Sequence, residues 1–88
     1  MLTKTVTVKL RDGLVQQDAT HFIQKANEFK SRVSVMQGDH TVNAKSLLGL
    51  LHLGIKYGEE VQICAAGPDE VEAVEVLTHC LAASQQAG

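Results

Sequence analysis

The chain has 88 residues, 44% of them hydrophobic, with a formal charge of -2 and a pI near 6.0. That length lets a single domain over residues 1–88 bury roughly 60% of the surface its unfolded form exposes, and the apolar content argues against disorder. The mild acidity gives no electrostatic reason to expect nucleic acid or an anionic membrane as a partner, and the apolar runs are too short to span a bilayer.

The opening Met1–Val8 alternates like a strand and lacks the apolar block of a signal peptide, so a cytoplasmic protein is expected. Cys64 and Cys80 are read as reduced thiols, because small secreted domains carry several bridges. From Thr5 to Leu10 the alternation is strict, with Val6, Val8 and Leu10 on one face of a predicted strand. Arg11-Asp12-Gly13 breaks it. Ala19, Phe22, Ile23, Ala26 and Phe29 then fall on one helical stripe, predicting a helix from Gln16 to Phe29. Val33 and Val35, a Gly38-Asp39 tip and Thr41-Val42 predict a β-hairpin. After a second helix, Val61, Ile63 and Ala65 alternate in a strand over Glu59–Ala66, which leaves Cys64 on the opposite face. Gly67-Pro68-Asp69 stops that strand and caps a last helix. Its first turn carries Asp69, Glu70 and Glu72, and its buried stripe is Ala73, Val74, Leu77 and Leu81. The tail Ser84–Gly88 is expected to fray. The order βαββαβα predicts an α+β fold, an antiparallel sheet with helices on one face and the other face wet.

The second helix is the unusual element. Ser46 stands where an N-cap belongs, and at about 100° per residue Leu47, Leu48, Leu50, Leu51 and Leu53 point around almost the whole circumference. A two-layer domain cannot bury them all, so part of this helix is expected to face water or a partner protein.

These residues resemble a known family along nearly the whole chain. Val42-Asn43-Ala44-Lys45-Ser46-Leu47-Leu48-Gly49-Leu50, the following Leu53-Gly54-Ile55, and Gly67 through Asp69 are similar to HPr, the histidine-containing phosphocarrier of the bacterial sugar phosphotransferase system. The resemblance implies an open-faced β-sandwich, four antiparallel strands covered on one side by three helices. It also implies a chemistry this chain lacks. Where the family carries Gly-(Ile/Leu)-His-Ala-Arg-Pro-Ala, this sequence reads Gly13-Leu14-Val15-Gln16-Gln17-Asp18-Ala19. Val15 takes the place of the phosphorylated histidine, Gln17 that of the arginine and Asp18 that of the proline. A valine neither accepts nor passes a phosphoryl group, and an amide beside a carboxylate offers no cation to hold one. In this respect the chain is similar to the catabolite-repression branch of the family, which also lacks the histidine.

The resemblance implies further that Ser46 is the family's regulatory serine, modified by a serine kinase/phosphorylase and then recognised by a transcriptional regulator. It places Leu47, Leu48 and Leu51 in a docking patch and Leu50 and Leu53 in the core. A phosphate at a helix N-terminus is physically reasonable, although a serine there also serves as a plain cap. Val15, Gln17 and Asp18 read equally as helix initiation or as partner contacts. His21 and His52 are the alternative phosphate acceptors, and His40 and His79 complete the set. None has metal-ligand spacing with another His, Cys, Asp or Glu. The expectation is therefore a non-enzymatic interaction module, without metal or cofactor, that is a monomer or a weak homodimer. The alternatives are a carrier using His21 or His52, and an inert oligomerising domain.

Overall fold

The alternating segments assemble into one antiparallel sheet. In the computed structural model, which describes residues 1–82, strands β1 (Leu2–Thr7), β2 (Arg32–Gln37), β3 (His40–Asn43) and β4 (Glu60–Ala66) pair in the order β1-β4-β2-β3. Val6 lies opposite Val61, and Val35 lies between Ile63 and Val42. Val6, Val33, Val35, Val61, Ile63 and Ala65 share one face and are buried on it. Three helices cover that face: α1 (Gln16–Ala26), α2 (Leu47–Leu53) and α3 (Glu70–Ala82). Phe22, Leu50, Leu77 and Leu81 close the single core, and each such side chain taken out of water stabilises the fold by about 1.5–3 kcal/mol. The opposite face carries the rows Thr3–Cys64–Ser34–Asn43 and Thr5–Gln62–Met36–Thr41. The fold is thus the predicted α+β open-faced sandwich in βαββαβα order. The tail Ser84–Gly88 lies outside the described residues.

Three local expectations are corrected. The first strand was expected over Thr5–Leu10, but its ladder runs from Leu2 to Thr7. Val8 and Leu10 are still buried, while the backbone there turns to other partners: the Val8 amide donates to the Glu59 carbonyl at 2.8 Å and the Lys9 amide to that of Leu81 at 2.8 Å. Alternating burial therefore continues past the end of the sheet. The first helix ends at Ala26, three residues before Phe29. The Glu28 and Phe29 amides fall back on the Lys25 and Ala26 carbonyls in a tighter turn, which keeps Phe29 in the core and so mimics helical spacing.

Asp69 is the third correction. Its carbonyl accepts the Ala73 amide at 2.9 Å, so it begins α3, but its carboxylate turns away to the start of β2. There it accepts the Lys30 and Ser31 amides, each at 2.9 Å, and the Ser31 hydroxyl at 2.5 Å. The Gly67 amide is taken by the Glu70 carboxylate at 3.1 Å. Gly67 has φ of 153°, and a Cβ on it would stand 2.6 Å from the Ser31 hydroxyl oxygen, so this close approach needs glycine. Chiefly through the Ser31 hydroxyl, and then through the Lys30 amide, the clasp holds the Asp69 carboxyl below the usual aspartate range. A depressed folded-state pKa gives stability that is present in full above about pH 4 and is lost as the pH falls through the folded value. Ser31→Ala should therefore destabilise the fold at neutral pH, where the Asp69 carboxylate is charged and accepts the Ser31 hydroxyl. Chemical denaturation measured from neutral to acid pH should show the gap between wild type and variant closing as the acid limit is approached.

Candidate functional site

The loop ahead of α1 is held against the end of α2. Gly13 has φ of 76°, its amide donates to the Leu10 carbonyl at 2.9 Å, and the next amide, of Leu14, donates to the Ile55 carbonyl at 2.9 Å. Leu14 is buried, which presents the following residue outward. Val15 is the N-cap of α1. Its carbonyl accepts the Ala19 amide at 2.8 Å, but its side chain makes no capping bond and remains 42% exposed. Gln17 is exposed in the first turn. Asp18 is half-buried and lines a small cavity with His21, Cys80 and the apolar Leu10, Leu14, Phe22 and Leu81. Partial burial pushes the Cys80 thiol up, against the weaker pull of Lys25, which makes it a poor nucleophile.

The second half of the site is α2 itself. The Asn43 side chain accepts the Lys45 amide at 2.8 Å, and the Ser46 amide donates to the Asn43 carbonyl at 3.0 Å, which turns the chain out of β3. Ser46 then caps the helix, its Oγ accepting the Gly49 amide at 3.1 Å. The Lys45 ammonium donates to the Phe29 carbonyl at 3.1 Å, tying the helix start to the turn that follows α1. Leu50 is fully buried, and Leu48 is 82% exposed. Leu47 and Leu51 are half-buried against the core, so the patch consists of one projecting leucine flanked by two partly sunken ones. Leu53, expected in the core, is also only half-buried, because the helix ends there and Gly54 turns the chain away with a left-handed backbone.

The Leu14–Ile55 hydrogen bond thus ties the loop that carries Val15 to the chain just past the C-terminal end of α2, while Ser46 caps its N-terminal end. His52 is exposed in the last turn of α2, and His21 is exposed on α1. His40 and His79 lie on β3 and α3. No group of three or more His, Cys, Asp or Glu side chains among the described residues could hold a metal. Sequence reasoning gave no role to Tyr57 in the turn after α2. There Tyr57 is 59% exposed with the Lys9 ammonium 5.9 Å from its ring centre, a cation–π contact. The Glu59 carboxylate closes this turn by accepting the Lys56 amide at 2.7 Å and the Gln37 side chain at 3.0 Å, bonds that in that order hold its pKa below the usual glutamate range. An aromatic residue flanked by turn residues was the available signal.

A four-stranded sheet with three helices on one side, a glycine-led loop into the first and a serine cap on the second define an HPr-like fold. The family model for the PTS HPr component phosphorylation site matches residues 2–83, and the chain belongs to the HPr family. The HPr-like protein Crh of Bacillus subtilis is 43% identical over 77 residues, covering 88% of this chain and 91% of that protein. The crystal structure of the phosphocarrier protein HPr from Bacillus anthracis superposes with a TM-score of 0.89 at 36% identity, covering 91% of this chain and 95% of that one. A crystal structure of B. subtilis Crh, a domain-swapped dimer, gives a TM-score of 0.77 at 39% identity, covering 96% and 97%.

Proposed function

We propose that this HPr-family protein is a non-transferring regulatory module of the sugar phosphotransferase and carbon-catabolite system, working by docking and not by phosphorelay. The observation that carries the reading is Val15. It occupies the exposed cap of α1 with an aliphatic side chain, and no arginine stands in the first turn behind it. A phosphocarrier needs an imidazole that one partner charges and the next discharges. The 43% identity to the B. subtilis Crh supports placing the chain on the regulatory side of the family.

In this reading a protein partner in the cytoplasm docks on Leu47, Leu48 and Leu51, with Val15 and Gln17 extending the surface past the end of α2. Ser46 is the switch. A phosphate there would add nearly two negative charges at the N-terminus of α2, where amides and the helix dipole favour an anion. A serine kinase/phosphorylase would write and erase the mark, and a transcriptional regulator would read it. The protein makes no covalent intermediate and needs no cofactor.

Intact-mass analysis after exposure to each of two phosphoryl donors tests the proposal. With the general phosphotransferase enzyme and phosphoenolpyruvate, the mass should stay unchanged. With a serine kinase and ATP it should rise by one phosphoryl group, and Ser46→Ala should abolish the rise. An acid-labile phosphohistidine at His21 or His52 in the first incubation would overturn the reading. An unmodified Ser46 in the second would remove the switch.

A further inference from the structure

The uncovered face of the sheet carries an unusual distribution of charge. A fifth of the chain is charged, yet its two central cross-strand rows, built around Gln62 with Met36 and Cys64 with Ser34, contain no charge. A sheet face left permanently in water is normally studded with lysine and glutamate, which also keep other sheets away. The two charges on β2 and β4 that share this face lie at its opposite ends: Arg32 beside Ala66, and Glu60 at the start of β4 beside Thr7. Among the described residues neither enters an ion pair.

This arrangement is self-complementary. A two-fold axis lying in the face, perpendicular to the strands and midway between the Gln62 and Cys64 rows, reverses strand direction but leaves each strand over its own copy. The Gln62 row of one molecule then covers the Cys64 row of the other. The Arg32 end of each sheet meets the Glu60 end of its partner, one strand spacing of about 4.8 Å to the side, within reach of both long side chains. We infer that the open face is an interface for a second copy of this chain, packed sheet against sheet and closed at each end by an Arg32–Glu60 pair. About a dozen side chains a side is roughly half of a standard interface, so the dimer is weak and dissociates on dilution. It is distinct from the leucine patch and from an exchange of strands, and does not depend on the function proposed above.

Sedimentation of the full chain over a range of concentrations tests this. The mass should rise from one chain toward two as concentration increases. Gln62→Lys, which places two ammonium groups near the axis, should raise the dissociation constant at least about tenfold. Arg32→Glu should weaken the dimer by setting carboxylates against each other, and the exchange R32E/E60R should restore it, a rescue that a merely local effect on folding would not give. Four outcomes would each overturn the inference: a monomer at every concentration, a dimer indifferent to Gln62→Lys, a dimer lost instead in Leu48→Glu, or no rescue by the charge exchange.

Discussion

Leu50→Ala should destabilise the protein by about 3 kcal/mol, whereas Leu48→Ala, two residues away on the same helix, should stay within about 0.5 kcal/mol of wild type. The two leucines are chemically identical, so the difference comes from environment alone. Leu50 has no exposed surface and its truncation opens a cavity beneath α2 that the sheet cannot fill. Leu48 is 82% exposed and already meets water. Urea unfolding followed by circular dichroism measures both. The same pair separates stability from docking: if the patch is the partner surface, Leu48→Ala should weaken partner binding while leaving the unfolding curve in place. Equal losses of stability for the two variants would contradict the burial pattern of α2.

Gly13→Ala is the second large effect, at about 3 kcal/mol or more. A Cβ at this position would lie 2.4 Å from the Ile55 carbonyl oxygen and 2.9 Å from the Lys56 Cα, both backbone atoms, and φ of 76° is itself unfavourable for alanine. Neither neighbour is the free end of a side chain, so the loop must move away from the end of α2. The Leu14–Ile55 hydrogen bond, 2.9 Å long, is lost with it, and the loop that carries Val15 is released from the chain after α2. Gly13→Ala should therefore lower the unfolding midpoint and also shift the backbone amide resonances of Ile55 and Lys56. Unfolding and NMR spectra that match wild type would show that this junction is not tightly packed.

Most of the architecture was legible in the chain because period and burial coincide. Val61, Ile63 and Ala65 alternate and are buried together, and Gly38-Asp39 turns a two-residue hairpin tip as its chemistry demands. The errors arose where burial outlives hydrogen bonding. Val8 and Leu10 keep the rhythm of a strand after the ladder has ended, and Phe29 keeps helical spacing after α1 has unwound. Asp69 was misread for a different reason. A carboxylate at the start of a helix satisfies a local rule, and nothing nearby in sequence reveals that Lys30 and Ser31, 39 and 38 residues away, claim it instead.

Within the candidate site, the cap by Ser46 was readable from its position before an apolar run, and the structure contains the bond. The depth of each leucine was not. Leu47, Leu51 and Leu53 all settle halfway against the core, because in a seven-residue helix that is apolar nearly all round periodicity does not say which side chains sink and which stay at the surface. Tyr57 went unnoticed because an isolated aromatic in a turn has no periodicity to betray it.

The place of β1 in the sheet has a consequence for how the molecule is made. Its one neighbour is β4, formed from residues 60–66, while the hairpin and both helices between them are local in the chain. A ribosome delivering this protein from its first residue onward releases the opening strand long before its mate exists. That segment must wait, solvated, until residues 60–66 have emerged, so closure of the sheet is paced by this distant pairing.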